Sequence, residues 1–242
     1  MASRIARVTT SHLRLASRHH IPPNRVSTII ALNPSINQHH LIHLVPGQRS
    51  YTMDVILPAP HQLKVTSHNQ YNPPEHISPT TVNPSPLDQF RSWFTEVQGH
   101  VKEPEAMCVS TVTASGIPSS RFVLFKELDN KGFIFYTNYT SRKSQELLEN
   151  PRAALAFYWR EVSRQIRVVG RVEKIDSKQS EEYFKSRPVG SRLGAWASPQ
   201  SSVVGESELH DRLEQVKSQF GDGQNADIPL PEFWGGWRVV PE

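Results

Sequence analysis

The stretch AMCVSTVTASGIPSSRFVLFKELDNKGFIFYT, residues 106–137, contains three strand patterns separated by two turn signals. Apolar and polar side chains alternate over residues 106–113, as in a strand with one buried face. Residues 114–116 predict a turn, and residues 118–126 predict a second strand. Residues 129–132 predict another turn before a third strand at 133–137. Short strands joined by such tight turns pair in an antiparallel manner.

The rest of the chain extends this pattern. Further strands are predicted at residues 153–159, 165–175 and 233–240. Helices are predicted at residues 88–97, 141–149, 177–186 and 206–220. This order does not give repeating βαβ units, so a doubly wound nucleotide-binding fold is disfavoured. The sequence therefore predicts a mostly β fold with peripheral helices (α+β), in which an antiparallel sheet closes into a barrel.

Three segments differ in composition along the 242 residues. Residues 1–53 hold six of the 27 basic residues and none of the 23 acidic ones. That composition is typical of a mitochondrial transit peptide, and a disordered tail is the alternative. Residues 54–85 are rich in proline and predict a linker, and residues 86–242 form the predicted folded domain. The chain after the leader carries a net charge of −2, which argues against a basic nucleic-acid-binding surface.

The sequence lacks the motifs that several kinds of site would require. The single cysteine, Cys108, excludes an intramolecular disulfide and C-x-x-C sites. No apolar run approaches the ~18 residues of a membrane-spanning helix. No nucleophile–base motif or paired carboxylates stand out, so no catalytic residue and no metal ligand is assigned. Binding groups without a reactive group of their own favour a protein whose cofactor carries the chemistry.

The dipeptide Arg142-Lys143 begins a predicted helix, where cations oppose the helix macrodipole. A bound anion would resolve this conflict, because free N–H groups, hydroxyls and two cations would converge on it. We therefore expect a phosphate site here. The alternative is a pair of solvated surface cations.

Two strands offer further candidate binding groups. Arg121 and Lys126 bracket four apolar residues, and they face opposite sides of a regular strand unless a bulge redirects one of them. Gln165 and Arg167 share one strand face, and the amide of Gln165 suits the polar edge of a heterocycle. The alternatives are cations at strand ends and a polar barrel exterior.

Tyr183 and Arg187 lie four residues apart on one predicted helical face. An aromatic plane beside a guanidinium suits a phosphorylated aromatic ring, and Ser191 follows just after the break at Pro188. The alternative is an ordinary Tyr/Arg surface pair.

These motifs together resemble one known family. In chain order they are AMC (106–108), SRFVLFK (120–126), GF (132–133), YTN (136–138), SRK (141–143), NP (150–151), FYW (157–159), RQIR (164–167), YF (183–184), SRP (186–188), GA (194–195), QSS (200–202) and WGG (234–236). The chain from about residue 86 to residue 241 resembles the pyridoxamine (pyridoxine) 5′-phosphate oxidase family. The resemblance implies an antiparallel FMN-binding split β-barrel and a homodimer with FMN at the subunit interface.

The resemblance also implies roles for individual residues. The residues expected to bind FMN are Arg121, Phe122, Val123, Leu124, Tyr136, Thr137, Arg142, Lys143, Gln165, Gln200 and Ser201. Of these, Arg142 and Lys143 would lie near its phosphate, and Gln200 and Ser201 would reach the FMN of the partner subunit. The residues expected to bind the substrate are Lys126, Tyr183, Arg187 and Ser191.

The implied reaction belongs to vitamin B6 metabolism. Pyridoxine or pyridoxamine 5′-phosphate is oxidised to pyridoxal 5′-phosphate by hydride transfer from C4′ to flavin N5, and O2 is reduced to H2O2. The expected location is mitochondrial or cytoplasmic, without membrane or nucleic-acid partners.

Two departures from the family pattern motivate an alternative. The sequence ends at Glu242, before the family's C-terminal segment with its Arg-x-His-x-Arg motif, so the domain is expected to be C-terminally truncated. Residues 68–71, HNQY, also lack the two cations of a family Arg-Lys-x-Tyr segment. The alternative is a catalytically impaired flavin- or pyridoxal-phosphate-binding protein of the same fold.

Overall fold

The computed structural model describes residues 55–59, 62–65, 67–68, 70–73 and 76–242. The chain divides into two units, Met1–Ser67 and His68–Glu242. In the first unit, β1 (Val55–Ala59) and β2 (Gln62–Val65) form an antiparallel hairpin. This hairpin lies in the segment for which proline content predicts a linker. The predicted leader lies outside the described residues, and the domain boundaries at residues 53/54 and 85/86 stay predictions.

The second unit contains six strands and five helices. The strands are β3 (Ala106–Val112), β4 (Pro118–Leu128), β5 (Phe133–Asn138), β6 (Arg152–Trp159), β7 (Arg164–Lys174) and β8 (Trp234–Pro241). The helices are α1 (Pro86–Val97), α2 (Arg142–Glu149), α3 (Ser177–Ser186), α4 (Val189–Ala197) and α5 (Glu208–Phe220), with a short 3₁₀ turn at Arg160–Val162. None of these helices in the described residues is long and apolar enough to cross a membrane.

The six strands close into one barrel in the order β3-β4-β5-β8-β7-β6, with every neighbouring pair antiparallel. This arrangement confirms the predicted α+β split barrel. Alternating side chains give such a barrel an inner and an outer face. In β6, every second side chain is buried, while the residues between stay at least partly exposed. Closure leaves no unpaired edge, so the short strands satisfy one another's backbone groups.

Aromatic side chains form a large part of the barrel core. Phe90 of α1 lies within 6 Å of the ring centroids of Phe125, Phe133, Phe157 and Trp159. Helix α1 begins at Pro86, and the Ser85 hydroxyl accepts a hydrogen bond from the backbone N–H of Asp88. Helix α1 is therefore a capped, amphipathic helix, and its buried face packs against the barrel core.

A second apolar cluster joins α3, α4 and α5 to the first residue of β8. Its buried members are Phe184, Leu193, Ala195, Ala197, Val216, Ile228 and Trp234. Helix α4 is absent from the sequence-based prediction, because Pro188, Gly190 and Gly194 lower its helix propensity. Packing of Leu193 and its neighbours in this cluster forms the helix despite those residues.

Candidate functional site

A cleft of about 530 Å³ opens on the outer side of the barrel. It brings together residues of β4, β5, the start of β8, helices α2, α3 and α4, and the loop after α4. Twelve of the fifteen predicted site residues line it, namely Arg121, Phe122, Val123, Leu124, Lys126, Tyr136, Thr137, Lys143, Tyr183, Arg187, Ser191 and Gln200. Pro188 and Trp234 line it as well.

Strand β4 carries a β-bulge next to the cleft. Its register with β5 shifts between Phe125 and Glu127, which leaves Lys126 as the extra residue. Arg121 and Lys126 both line the cleft, although a regular strand would point them to opposite faces.

Lys143 is a buried cation at the start of α2, with only 7% of its surface exposed. Its Nζ donates to Thr137 Oγ1 at 3.0 Å, Ser141 Oγ at 3.2 Å and Gln200 Oε1 at 2.8 Å. These acceptors are all neutral, and no carboxylate of the described residues pairs with Lys143. Burial, together with nearby Arg121, lowers the pKa of Lys143 to about 8. A buried ammonium with neutral acceptors fits an anionic ligand.

Glu146 is the nearly buried carboxylate of the same helix, with a side chain 4% exposed. It accepts hydrogen bonds from the Thr111 hydroxyl, from Ser119 Oγ at 2.6 Å and from Arg142 Nε at 2.8 Å, and Arg121 Nη2 lies 3.4 Å away. Burial alone would raise the pKa of Glu146, but the hydrogen bonds and Arg142 lower it to about 2. The carboxylate therefore stays ionised and fixes both arginines.

We expect Glu146→Gln to lower the free energy of unfolding by about 2 kcal/mol, because it leaves buried donors and Arg121 without their anion. Urea denaturation measures this change. The loss should be full above pH 4.5 and shrink as the pH falls towards 2, where wild-type Glu146 also becomes neutral. Glu149→Gln, at an exposed position of α2, is the matched control. Equal stability of the two variants at pH 7 would contradict the role given to Glu146.

Three aromatic rings form the other wall of the cleft. The Tyr136 and Tyr183 rings stack at 3.9 Å, and Trp234 lies nearly parallel to both, with centroids 5.5 and 6.2 Å away. Burial raises the pKa of both tyrosines, so their phenols stay neutral at physiological pH. Flat, neutral rings suit stacking with a planar ligand.

The glycines after Trp234 allow this wall to form. A Cβ at Gly236 would lie 3.0 Å from the ring of Tyr136 and 2.4 Å from Ile175. A Cβ at Gly235 would lie 2.3 Å from the Tyr139 hydroxyl. The Trp-Gly-Gly motif therefore gives the tyrosine rings space to lie against β8.

Arg187 is the C-cap residue that follows α3, and it lies beside these rings. Its guanidinium carbon lies 4.8 Å from the Trp234 ring centroid. Its Nη1 is buried and has no hydrogen-bond partner in the described part of the chain. Burial lowers the pKa of Arg187, and the Tyr183 beside it acts in the opposite direction. Pro188 is the N-cap residue of α4, and Ser191 lies in the first turn of this helix, whose N-terminus also favours an anion.

Three predicted residues lie apart from this cleft. Arg142 is mostly exposed and paired with Glu146. Ser201 is an exposed residue of the loop after α4, with a positive φ of 69°. Gln165 lies on the barrel exterior and lines a second cleft of about 610 Å³ with Trp93, Glu96 and Arg164. Gln165 and Arg167 do share a face, because both are exposed in alternation along β7.

The sequence did not predict a role in the site for two residues. Trp234 belongs to the Trp-Gly-Gly motif of the family resemblance. Its contacts with Tyr183 and Arg187 were not predicted, because about fifty residues separate it from them in sequence. Glu146 gave no signal, because its partners Thr111 and Ser119 lie on strands distant in sequence.

The closed barrel with an outer cleft places the chain in the class of split-barrel proteins. Two solved structures share this fold. The first is PhzG from Burkholderia lata in complex with tetrahydrophenazine-1-carboxylic acid, with a TM-score of 0.63 and 27% identity over 69% of this chain and 82% of that one. The second is a pyridoxamine 5′-phosphate oxidase-related, FMN binding protein from Nostoc punctiforme, with a TM-score of 0.52 and 16% identity over 65% of this chain and 81% of that one.

The chain belongs to the pyridoxamine 5′-phosphate oxidase family. The family model named Pyridoxamine 5′-phosphate oxidase matches residues 94–219. A pyridoxine/pyridoxamine 5′-phosphate oxidase of Nostoc sp. is 47% identical over 169 residues, which cover 69% of this chain and 78% of that protein. The Bordetella avium protein of the same name is 52% identical over 158 residues, covering 65% and 73% of the two chains.

Proposed function

We propose that this protein uses FMN to oxidise pyridoxine 5′-phosphate and pyridoxamine 5′-phosphate to pyridoxal 5′-phosphate, with O2 as the electron acceptor. One observation carries the proposal. Two cations without a carboxylate partner in the described residues, the buried Lys143 and the half-buried Arg187, line one cleft together with stacked aromatic rings. Two phosphorylated, planar molecules, a flavin nucleotide and a pyridine phosphate, match two such cations. The names of the family and of the similar Nostoc protein support the same substrates.

The cofactor phosphate would bind at Lys143. Its ammonium and the hydroxyls of Thr137 and Ser141 already converge within hydrogen-bond distance. Arg142, held by Glu146 at the same helix start, would add positive charge. Residues 121–124 of β4 would support the ring system, and Gln165 and the Gln200-Ser201 loop would complete the contacts. When bound, FMN supplies the acceptor for a hydride from the substrate's C4′ carbon, and O2 receives the electrons as H2O2.

The substrate would bind at Arg187. The unpartnered Nη1 would donate to the substrate phosphate, with Ser191 at the start of α4 and Lys126 at the bulge beside it. The Tyr183 ring would stack on the pyridine. The protein's own contribution is therefore to hold two rings in register and to anchor both phosphates.

The experiment that tests this function is turnover by purified protein loaded with FMN. Pyridoxine 5′-phosphate in air should give pyridoxal 5′-phosphate and H2O2 in equal amounts. Protein that binds FMN and pyridoxal 5′-phosphate without turnover would instead support the alternative, a binding protein of the same fold.

FMN affinity should fall as the pH rises through about 8, because cofactor-free Lys143 then loses its charge. The FMN phosphate is a dianion above about pH 6, so its own titration lies lower. The same lowered pKa makes the cofactor-free protein more stable as the pH rises from about 8 to 10.5, since the unfolded chain binds more protons there. Fluorescence titration of FMN between pH 6.5 and 9.5 measures the affinity. A flat profile would contradict the role of Lys143.

We also propose that the protein is a homodimer. Four large apolar residues are exposed on the outer face of strands β4, β6 and β7, namely Phe122 (78%), Leu124 (45%), Tyr158 (57%) and Val169 (49%). Strand β3 lies between β4 and β6. Strand register puts Gln165 on this face, opposite Tyr158. A second copy packed here would cover the apolar residues and carry Gln165 to the partner's cleft.

Light scattering over a range of protein concentrations tests the homodimer. It should give about twice the 27.5 kDa chain mass. A monomer at every concentration, with FMN bound, would contradict this assembly.

A further inference from the structure

Trp234 begins β8 and lines the cleft beside Tyr136 and Tyr183. It is 7% exposed, and its backbone is opposite Asn138 of β5. Its ring is nearly parallel to those of Tyr136 and Tyr183, while Phe184 meets it edge-on at 5.2 Å. The indole is therefore held in one orientation from several sides.

The face of this indole supports the guanidinium of Arg187. The guanidinium carbon lies 4.8 Å from the Trp234 centroid and 5.8 Å from that of Phe184. No ion pair of Arg187 with a carboxylate is present in the described part of the chain. Aromatic contact thus replaces the usual anionic partner of this half-buried arginine.

This replacement leaves the donors of Arg187 available. A guanidinium has five N–H donors, and a carboxylate partner would occupy two of them in competition with a phosphate. An aromatic face attracts the cation without accepting those hydrogen bonds. The unpartnered Nη1 shows the consequence, because this buried donor of a cleft-lining arginine has no acceptor among the described residues.

We propose that Trp234 is a specificity-determining residue, which positions Arg187 so that the site selects phosphorylated over unphosphorylated pyridines. This inference rests on the proposed function. It assigns to Trp234 a role separate from stacking on the substrate ring, since stacking would favour both kinds of pyridine equally.

The test compares equilibrium binding of pyridoxal 5′-phosphate and pyridoxal to FMN-loaded protein, followed by ligand absorbance. Trp234→Leu should weaken binding of the phosphorylated ligand about tenfold and leave pyridoxal binding nearly unchanged. Trp234→Phe keeps an aromatic face and should retain most of the preference. Trp196→Leu is the matched control, because Trp196 packs on the same apolar cluster through Phe220 and Phe233 without lining the cleft.

A double-mutant cycle with Arg187→Ala tests whether Trp234 acts on ligand preference through Arg187. In the Arg187→Ala background, Trp234→Leu should no longer change the preference between the two ligands. Equal weakening of both ligands by Trp234→Leu, or an undiminished effect in the Arg187→Ala background, would overturn the inference while leaving the proposed function standing. Wild-type protein that binds both ligands equally would contradict the proposed function itself.

Discussion

Arg187→Ala should raise the KM for pyridoxine 5′-phosphate by about a hundredfold, since it removes a charge-assisted phosphate contact in a desolvated site. The expectation follows from the position of Arg187, which lines the cleft beside Tyr183 and whose Nη1 has no partner among the described residues. FMN affinity should stay within about threefold of wild type, because the cofactor phosphate is assigned to Lys143. Steady-state kinetics and FMN titration give the two numbers.

Lys185→Ala is the control for this prediction. Lys185 lies two residues earlier in α3, but it is exposed and paired with Glu181. Its removal should leave the KM unchanged. An unchanged KM in Arg187→Ala would remove the assignment of a phosphorylated substrate to this end of the cleft.

Lys143→Met should weaken FMN binding by about a hundredfold, because the variant keeps the side-chain length but loses the buried charge. It should also abolish the fall in FMN affinity above pH 8. The arginines near the site stay charged across this range and cannot replace the titration of Lys143.

The free energy of unfolding of the cofactor-free variant distinguishes a loss of FMN binding from a loss of folding stability. Burial lowers the pKa of Lys143, so the folded cofactor-free protein holds this ammonium at a cost. The free energy of unfolding of cofactor-free Lys143→Met should therefore not fall below that of wild type at pH 7. Lys131→Met, at an exposed turn position, controls for the loss of a surface charge. Destabilisation of the cofactor-free protein with unchanged FMN affinity would show that Lys143 supports the fold instead.

Local patterns predicted most of the barrel. Strand patterns between turn signals identify β3 to β8. The turn at residues 129–132 is stabilised as its composition suggests, with Asp129 Oδ1 accepting from the N–H groups of Lys131 and Gly132. Helix α4 and the β1–β2 hairpin were missed, because glycine and proline dominate their local signal. In α4, burial against α5 and Trp234 outweighs propensity.

In the candidate site too, local spacing was predicted and contacts between distant segments were not. The helical spacing of Tyr183 and Arg187 predicts that they lie together, and both line the cleft. The contact of Trp234 with Arg187 and the donors to Glu146 depend on which strands become neighbours, which no local pattern encodes. The bulge at Lys126 likewise follows from pairing between β4 and β5.

The measurement closest to the central claim is the anaerobic spectrum of FMN-loaded protein after addition of pyridoxine 5′-phosphate. The flavin band at about 450 nm should bleach in proportion to the substrate added, as expected of flavin reduction, and admission of air should restore it. Arg187→Ala at the same substrate concentration should bleach far more slowly. A flavin band that persists in the wild-type protein, with FMN demonstrably bound, would contradict the assignment as a pyridoxal-phosphate-forming oxidase.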